Sequence, residues 1–197
     1  EQRIAICPLP LYHIFALTVH NFMLFHIGGK SVLITNPRDL KTFVSLMKKH
    51  KFHMISGVNT LYEALLNYDG FKELDFSNLL MSLSGGMAAL DTTAKRWHET
   101  TKSVIWQAYG LTETSPLVSV NDYKQTEFTG SVGLPAAFTE IEIRDEDNNV
   151  LTETNEVRSQ GRDEEKVPHL QGQDPSVEGN GGDATMSPCQ KTEDGRR

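Results

Sequence analysis

The sequence predicts an α/β fold: a partial parallel sheet with flanking helices, followed by the start of a smaller antiparallel β subdomain and a disordered tail. Three observations carry this. From Ser31 to Gln107 short apolar runs alternate with longer amphipathic ones in the order strand, helix, strand, helix, strand, helix, strand, which implies parallel strands joined by right-handed crossovers. After Pro116 the runs shorten, and Ile141 and Ile143 alternate as on a half-exposed antiparallel strand. From Asn155 to Arg197 no Phe, Trp or Tyr occurs, and the few apolar residues bury too little surface to offset the entropy of ordering the chain. The expected divisions are 1–116, 117–154 and 155–197.

Taken in order, Ile4-Ala5-Ile6-Cys7 reads as a buried strand ended by Pro8 and Pro10. Residues 11–27 form the longest apolar stretch. His13, Thr18, His20, Asn21 and His26 interrupt it, so it predicts a buried helix stopped by Gly28-Gly29 and not a membrane span. On that helix His13 and His20 share a face, but without a carboxylate they make a poor metal site, and His20 and His26 read as satisfied core or boundary residues. Ser31-Val32-Leu33-Ile34 is the next strand; Asn36-Pro37 ends it and starts a helix with Leu40, Phe43, Val44 and Met47 on one face. Lys48, Lys49 and His50 then suit that helix's carboxyl end. His53 to Ser56 is a third strand, and Thr60-Leu61-Tyr62-Glu63 offers a capping box for a helix carrying Leu61, Leu65 and Tyr68. Leu79 to Leu83 is a fourth strand, followed by a helix from about Leu90 to Thr101; Ser103 to Trp106 is a fifth.

Composition narrows the function. A net charge of −7 without clustered Lys or Arg argues against a nucleic-acid partner. Two cysteines, Cys7 in the core and Cys189 in the polar tail, make neither a disulfide framework nor a zinc site and fit a reducing cytoplasm. The acidic run 145–149 lacks the glycine and terminal glutamate of a calcium loop and reads as a solvated turn. The chain opens at Glu1 without an initiator Met or a leader, which suggests an internal piece of a longer protein.

Chemistry concentrates in Gln107-Ala108-Tyr109-Gly110-Leu111-Thr112-Glu113-Thr114-Ser115-Pro116, after the fifth strand. Carboxyl ends of strands are where open α/β sheets bind ligands. An aromatic ring, a glycine, a hydroxyl and a carboxylate within five residues can stack a base, contact a phosphate and hold Mg²⁺. The same residues also read as a polar loop with a core tyrosine. Ser84-Gly85-Gly86-Met87 ends the fourth strand, either as a tight turn or as bare backbone against which a flat ligand ring can lie.

That decapeptide resembles the adenylate-binding signature of the acyl-adenylate-forming (AMP-binding) enzymes. Pro8-Leu9-Pro10-Leu11-Tyr12-His13, Ser84-Gly85-Gly86-Met87 and Gly130-Ser131-Val132-Gly133-Leu134-Pro135 resemble further motifs of that superfamily in the same order. With 34–39 and 57–61 between them, the chain is most similar to the bacterial long-chain fatty-acid–CoA ligases, from residue 1 to about Thr154. The resemblance implies ATP-dependent activation of a fatty acid to an acyl-adenylate, then thioester formation with coenzyme A, and so ATP, Mg²⁺ and coenzyme A as cofactors or co-substrates. It implies Tyr109 stacked on adenine, with Gly85, Gly86, Met87, Gln107 and Gly110 around the nucleotide. It implies Thr112 on phosphate, Glu113 on Mg²⁺, and His13 beside the reacting carboxylate. Val58, Leu61 and Tyr62 become acyl-pocket candidates, with plain core the alternative. It also implies a cytoplasmic location, with room for peripheral membrane association at the inner face. Asn59 departs from relatives outside the fatty-acid group, which often have proline there; Ser84 and Ala88 depart from a common glycine and proline.

The phosphate loop and the C-terminal catalytic lysine of the superfamily have no match in these 197 residues, so the chain is expected to be inactive by itself. A noncatalytic remnant or interaction fragment is the alternative. A dinucleotide-dependent oxidoreductase is disfavoured because no G-x-G-x-x-G follows any strand. For the tail, a frameshift, a fusion or a divergent exon is the expected origin.

Overall fold

The computed structural model describes residues 2–144, 147, 149–150 and the backbone of 185–188. The chain divides between Ala136 and Ala137 into two compact units. In the first, β1 (Ile4–Cys7), β2 (Lys30–Leu33), β3 (Met54–Gly57), β4 (Met81–Ser84) and β5 (Ile105–Tyr109) form a parallel sheet; β6 (Ser119–Val120) and β7 (Leu134–Pro135) extend its edge antiparallel, in the order β2-β1-β3-β4-β5-β6-β7.

This order reverses direction once. From β1 the chain crosses outward to β2, then returns past β1 to β3 and proceeds the other way. Right-handed crossovers in opposite directions land on opposite faces. The connection from β1 to β2 accordingly covers one face, with Phe15, Val19 and Leu24 on Ala5, Met54 and Leu83. The other connections cover the opposite face: α3 (Leu40–Met47), α4 (Asn59–Leu66), α5 (Asp69–Lys72) and α6 (Asp91–Thr101) bring Phe43, Met47, Tyr62, Phe71 and Trp97 onto Ile6, Ile55 and Ile105. Between the carboxyl ends of β1 and β3 lies the switch point, where open sheets leave a crevice for ligands.

The larger core centres on Trp97. Its ring meets Tyr62 edge-on at 4.6 Å and Phe71 at 5.2 Å. Such pairs are each worth about 0.5–1.5 kcal/mol beyond the area they bury. The polar edges are satisfied: Trp97 Nε1–H donates to Ser82 Oγ at 2.9 Å, Ser82 pairs with Ser103, and the Tyr62 hydroxyl donates to the Leu83 carbonyl at 2.7 Å.

Several local expectations need correction. The stretch 11–27 is neither wholly buried nor uniformly α-helical. It begins at α1 (Ile14–Ala16), turns into a π-helix over Leu17–Met23 and ends as α2 (Leu24–His26). Only Ala16, His20 and Leu24 are buried, while Phe22 and Phe25 are exposed, because the sheet covers one side alone. The four-residue spacing of the buried positions suits the wider π turn, and the Ser31 hydroxyl donates to the His20 carbonyl within it. His13 caps α1 from outside, so it shares no helix face with His20. His20 is not satisfied: neither ring nitrogen has a partner among the described residues.

The helix after Asn36-Pro37 starts at Leu40, capped by Asp39, whose carboxylate accepts from Thr42 N–H at 3.1 Å; these bonds hold its pKa below the ordinary carboxylate value. The expected capping box at Thr60 does not form. Val58 is the cap, without a side-chain bond, and Thr60 sits inside the first turn of α4. Tyr109 belongs to β5 instead of the loop beyond it.

In the second unit β8 (Ile141–Arg144) pairs antiparallel with β9 (Thr185–Pro188). The expectation for 155–197 otherwise lies outside the described residues.

Candidate functional site at the carboxyl edge of the sheet

Every expected site residue except Tyr62 and Gln107 falls on a loop or first helical turn beyond a strand's carboxyl end, or on the last residue of β5. After β1, the Pro8 and Pro10 turn leads to His13. The amide of Phe15 donates to its Nδ1 at 3.3 Å, so the neutral ring carries its proton on Nε2, and the ring is exposed. Cys7, the last residue of β1, is buried; burial pushes its thiol up, and it donates to the Leu9 carbonyl, which makes it a poor nucleophile.

After β4, Gly85 is buried and Gly86 to Ala88 are exposed. Gly86 has φ +80 and nothing within 4 Å of where a Cβ would stand, which leaves a bare backbone surface. Gly85 ties three chain segments together: a Cβ there would lie 3.2 Å from the Phe15 ring and 3.4 Å from the Ala108 carbonyl. The helix that His13 caps, the paired glycines and the end of β5 thus come together. Tyr109 follows Ala108 and is half-buried.

Beyond β5 a short 3-10 turn, Thr112–Thr114, exposes Thr112 and Glu113, neither with a side-chain partner among the described residues. Thr114 holds this turn in shape: its hydroxyl lies 2.9 Å from the Leu111 amide and 2.9 Å from the carbonyls of Leu111 and Pro116. Among the described residues no three His, Cys, Asp or Glu gather into a metal cage. A single exposed carboxylate fits the way Mg²⁺ is commonly held, by one or two carboxylates together with substrate phosphates.

Other expected residues sit differently. The Gln107 side chain is buried and committed to the protein: its Oε1 accepts from Ala89 N–H at 2.9 Å and its Nε2 donates to the Ser131 carbonyl at 3.3 Å. At Gly110 a Cβ would overlap the Pro116 carbonyl, so the missing side chain makes room for the chain's own turn. Tyr62 is wholly buried in the core, where burial raises its pKa, while Val58 and Leu61 at the head of α4 stay partly open.

Two asparagines were given no role by the sequence reading, which noted Asn59 only as a departure from a common proline. Asn59 Oδ1 accepts from Leu90 N–H at 2.9 Å. Asn121 accepts from Gln107 N–H at 2.6 Å and donates to the Ser131 carbonyl at 2.8 Å, fastening the glycine-bounded segment 130–133 to β5. Their signal, a polar amide beside a strand end, is too common to single out.

A family model described as AMP-binding enzyme matches residues 1–161. The chain belongs to the AMP-binding enzyme family. Within it, the long-chain-fatty-acid–CoA ligase of Haemophilus influenzae is 47% identical over 149 residues, 76% of this chain and 26% of that protein. The ligase of the same name from Yersinia pestis is 46% identical over 148 residues, 75% of this chain and 26% of its own length. The chain therefore spans about a quarter of these curated relatives. Among solved structures, an ATP-bound RpMatB-BxBclM chimera aligns with a TM-score of 0.67 and 27% identity over 78% of this chain and 30% of its own. As an AMP-binding enzyme segment, the chain carries the family match through all seven strands of its first unit.

Proposed function

We propose that this chain is the part of a long-chain fatty-acid–CoA ligase that binds the adenylate, with ATP, a long-chain fatty acid and coenzyme A as the substrates of the intact protein. The observation that carries this is the close approach of Phe15, Gly85 and Ala108, which brings the helix capped by His13, the glycine turn and the strand end bearing Tyr109, distant in sequence, to one edge of the sheet. The 47% identity to a ligase of that name supports it.

In this reading Tyr109 and the bare backbone at Gly85, Gly86 and Met87 hold adenine between a ring and a flat peptide surface. Thr112 donates its hydroxyl to a phosphate oxygen. His13, with Nε2–H outward, donates to the fatty-acid carboxylate and orients it, and Val58 and Leu61 border the acyl chain. Glu113 would hold Mg²⁺, which when bound draws negative charge from the phosphates. Gln107 acts by holding the glycine loop, and Gly110 by allowing the turn that presents Thr112 and Glu113. The 197 residues supply these groups but no counterpart of the superfamily's phosphate loop or catalytic lysine, so alone they should form no acyl-CoA.

The test is a chimera in which the aligned 149 residues replace the matching segment of the Haemophilus influenzae ligase. It should catalyse fatty-acid-dependent exchange of pyrophosphate into ATP. Glu113→Gln should cut that exchange at least about a hundredfold at saturating Mg²⁺, as removal of a transition-state electrostatic partner does, without lowering Tm. Tyr109→Phe should keep nucleotide affinity and Tyr109→Ala should weaken it by about 1 kcal/mol. Exchange indifferent to both positions would reject the assignment.

A further inference from the structure

We propose that Asn59 is a positioning residue that sets the Gly85–Leu90 loop against the head of α4, and with it the spacing between nucleotide and acyl group; this rests on the reading above. Asn59 is the first residue of α4 and 6% exposed, on the β3 side of the switch point. It follows Val58, a cap with no side-chain bond to offer the helix start. Its Oδ1 instead reaches across to Leu90 N–H.

The loop it reaches has little else to hold it. Gly86, Met87 and Ala88 are exposed, and Gly86 has no side chain to anchor. Its entrance bond, from Gly85 N–H to the Gly57 carbonyl, is long at 3.4 Å. At its exit two consecutive amides are pinned by side-chain amides from two different elements: Ala89 by Gln107 of β5, and Leu90 by Asn59 of α4. Gln107 fixes the loop to the strand that bears Tyr109. Asn59 fixes it to the head of α4, where Val58 caps the helix and Leu61 lies in its first turn. The bond to Asn59 thus connects the nucleotide loop to the acyl side, and its loss frees the loop to move away from α4 while the strand pairing beneath stays intact.

A purely structural role is the competing account, because Leu90 is also the cap of α6. The two differ in what a substitution changes. In the chimera, Asn59→Leu keeps the branching at Cγ, with somewhat more bulk, and removes the acceptor. It should raise KM for ATP about five- to tenfold, the equivalent of one neutral hydrogen bond, and lower kcat as well, because the acyl group is then held at the wrong distance from the nucleotide, while Tm falls by no more than one unpaired amide accounts for. Asn59→Asp keeps an acceptor at a helix first turn that tolerates negative charge and should restore KM for ATP. An unchanged KM in the Leu variant, an Asp variant as impaired as Leu, or a Leu variant that does not fold would each overturn the proposal. If the unsubstituted chimera shows no fatty-acid-dependent exchange, the ligase reading falls and takes this with it. If exchange is present and Asn59 is silent, only this inference is lost.

Discussion

A methyl group at Gly110 would meet the Pro116 carbonyl head-on, and the atoms in its way, of Pro116 and Leu117, are all backbone. Gly110→Ala should therefore destabilise the chain by about 1–3 kcal/mol or more, the range for forcing extra atoms into a filled space, which urea unfolding would measure; a loss under about 0.5 kcal/mol, the scatter of surface substitutions, would show that the turn relaxes. His20 makes a different prediction. Burial lowers its pKa to about 4, against about 6.5 in the unfolded chain. The folded state then binds fewer protons than the unfolded one between those values, so stability is full above pH 6.5 and falls as pH drops toward 4. The loss should reach about 2–3 kcal/mol at the lower end. His20→Leu should flatten that part of the pH profile and raise stability at pH 7, since it removes two unpartnered nitrogens. An unaltered profile in the variant would assign the acid lability elsewhere.

Among the elements, α6 shows how a helix is held at both ends by groups outside it. Its start is met by Asn59, and its end is Lys102, left-handed at φ 62, whose amide donates to the His98 carbonyl. A side chain in that conformation is strained, so Lys102→Gly should stabilise by about 0.5–1 kcal/mol after allowance for the freer unfolded chain. Thermal denaturation would decide it, and a fall in Tm would mean that the bond from Lys102 Nζ to the Glu99 carbonyl outweighs the strain. Elements of this kind were legible where a period ran unbroken: Phe43, Val44 and Met47 on α3 are all buried, as their spacing implied. The stretch 14–26 was less so. Its aromatic residues face outward as well as inward, and apolar content alone does not say how many sides of a helix are covered.

At the scale of the whole first unit, β3 lies inside the sheet with all four residues buried, whereas β7 forms the exposed edge. Amide exchange should be slowest at Ile55 and Ser56, approaching the global unfolding free energy, and orders of magnitude faster around Gly130 to Leu134; equal protection across both would contradict the layering. The alternation of strand and helix, the parallel sheet and the placing of three motifs at its carboxyl edge were all determined by the sequence, because period and handedness are local properties repeated along the chain. The tertiary structure alone decided that Gly110 yields to Pro116, that Gln107 is spent on Ala89 and Ser131, and that Asn59 reaches Leu90, 31 residues away. Such bonds depend on the register in which distant strands pair and on which face each crossover covers, and neither is written in the residues that make them.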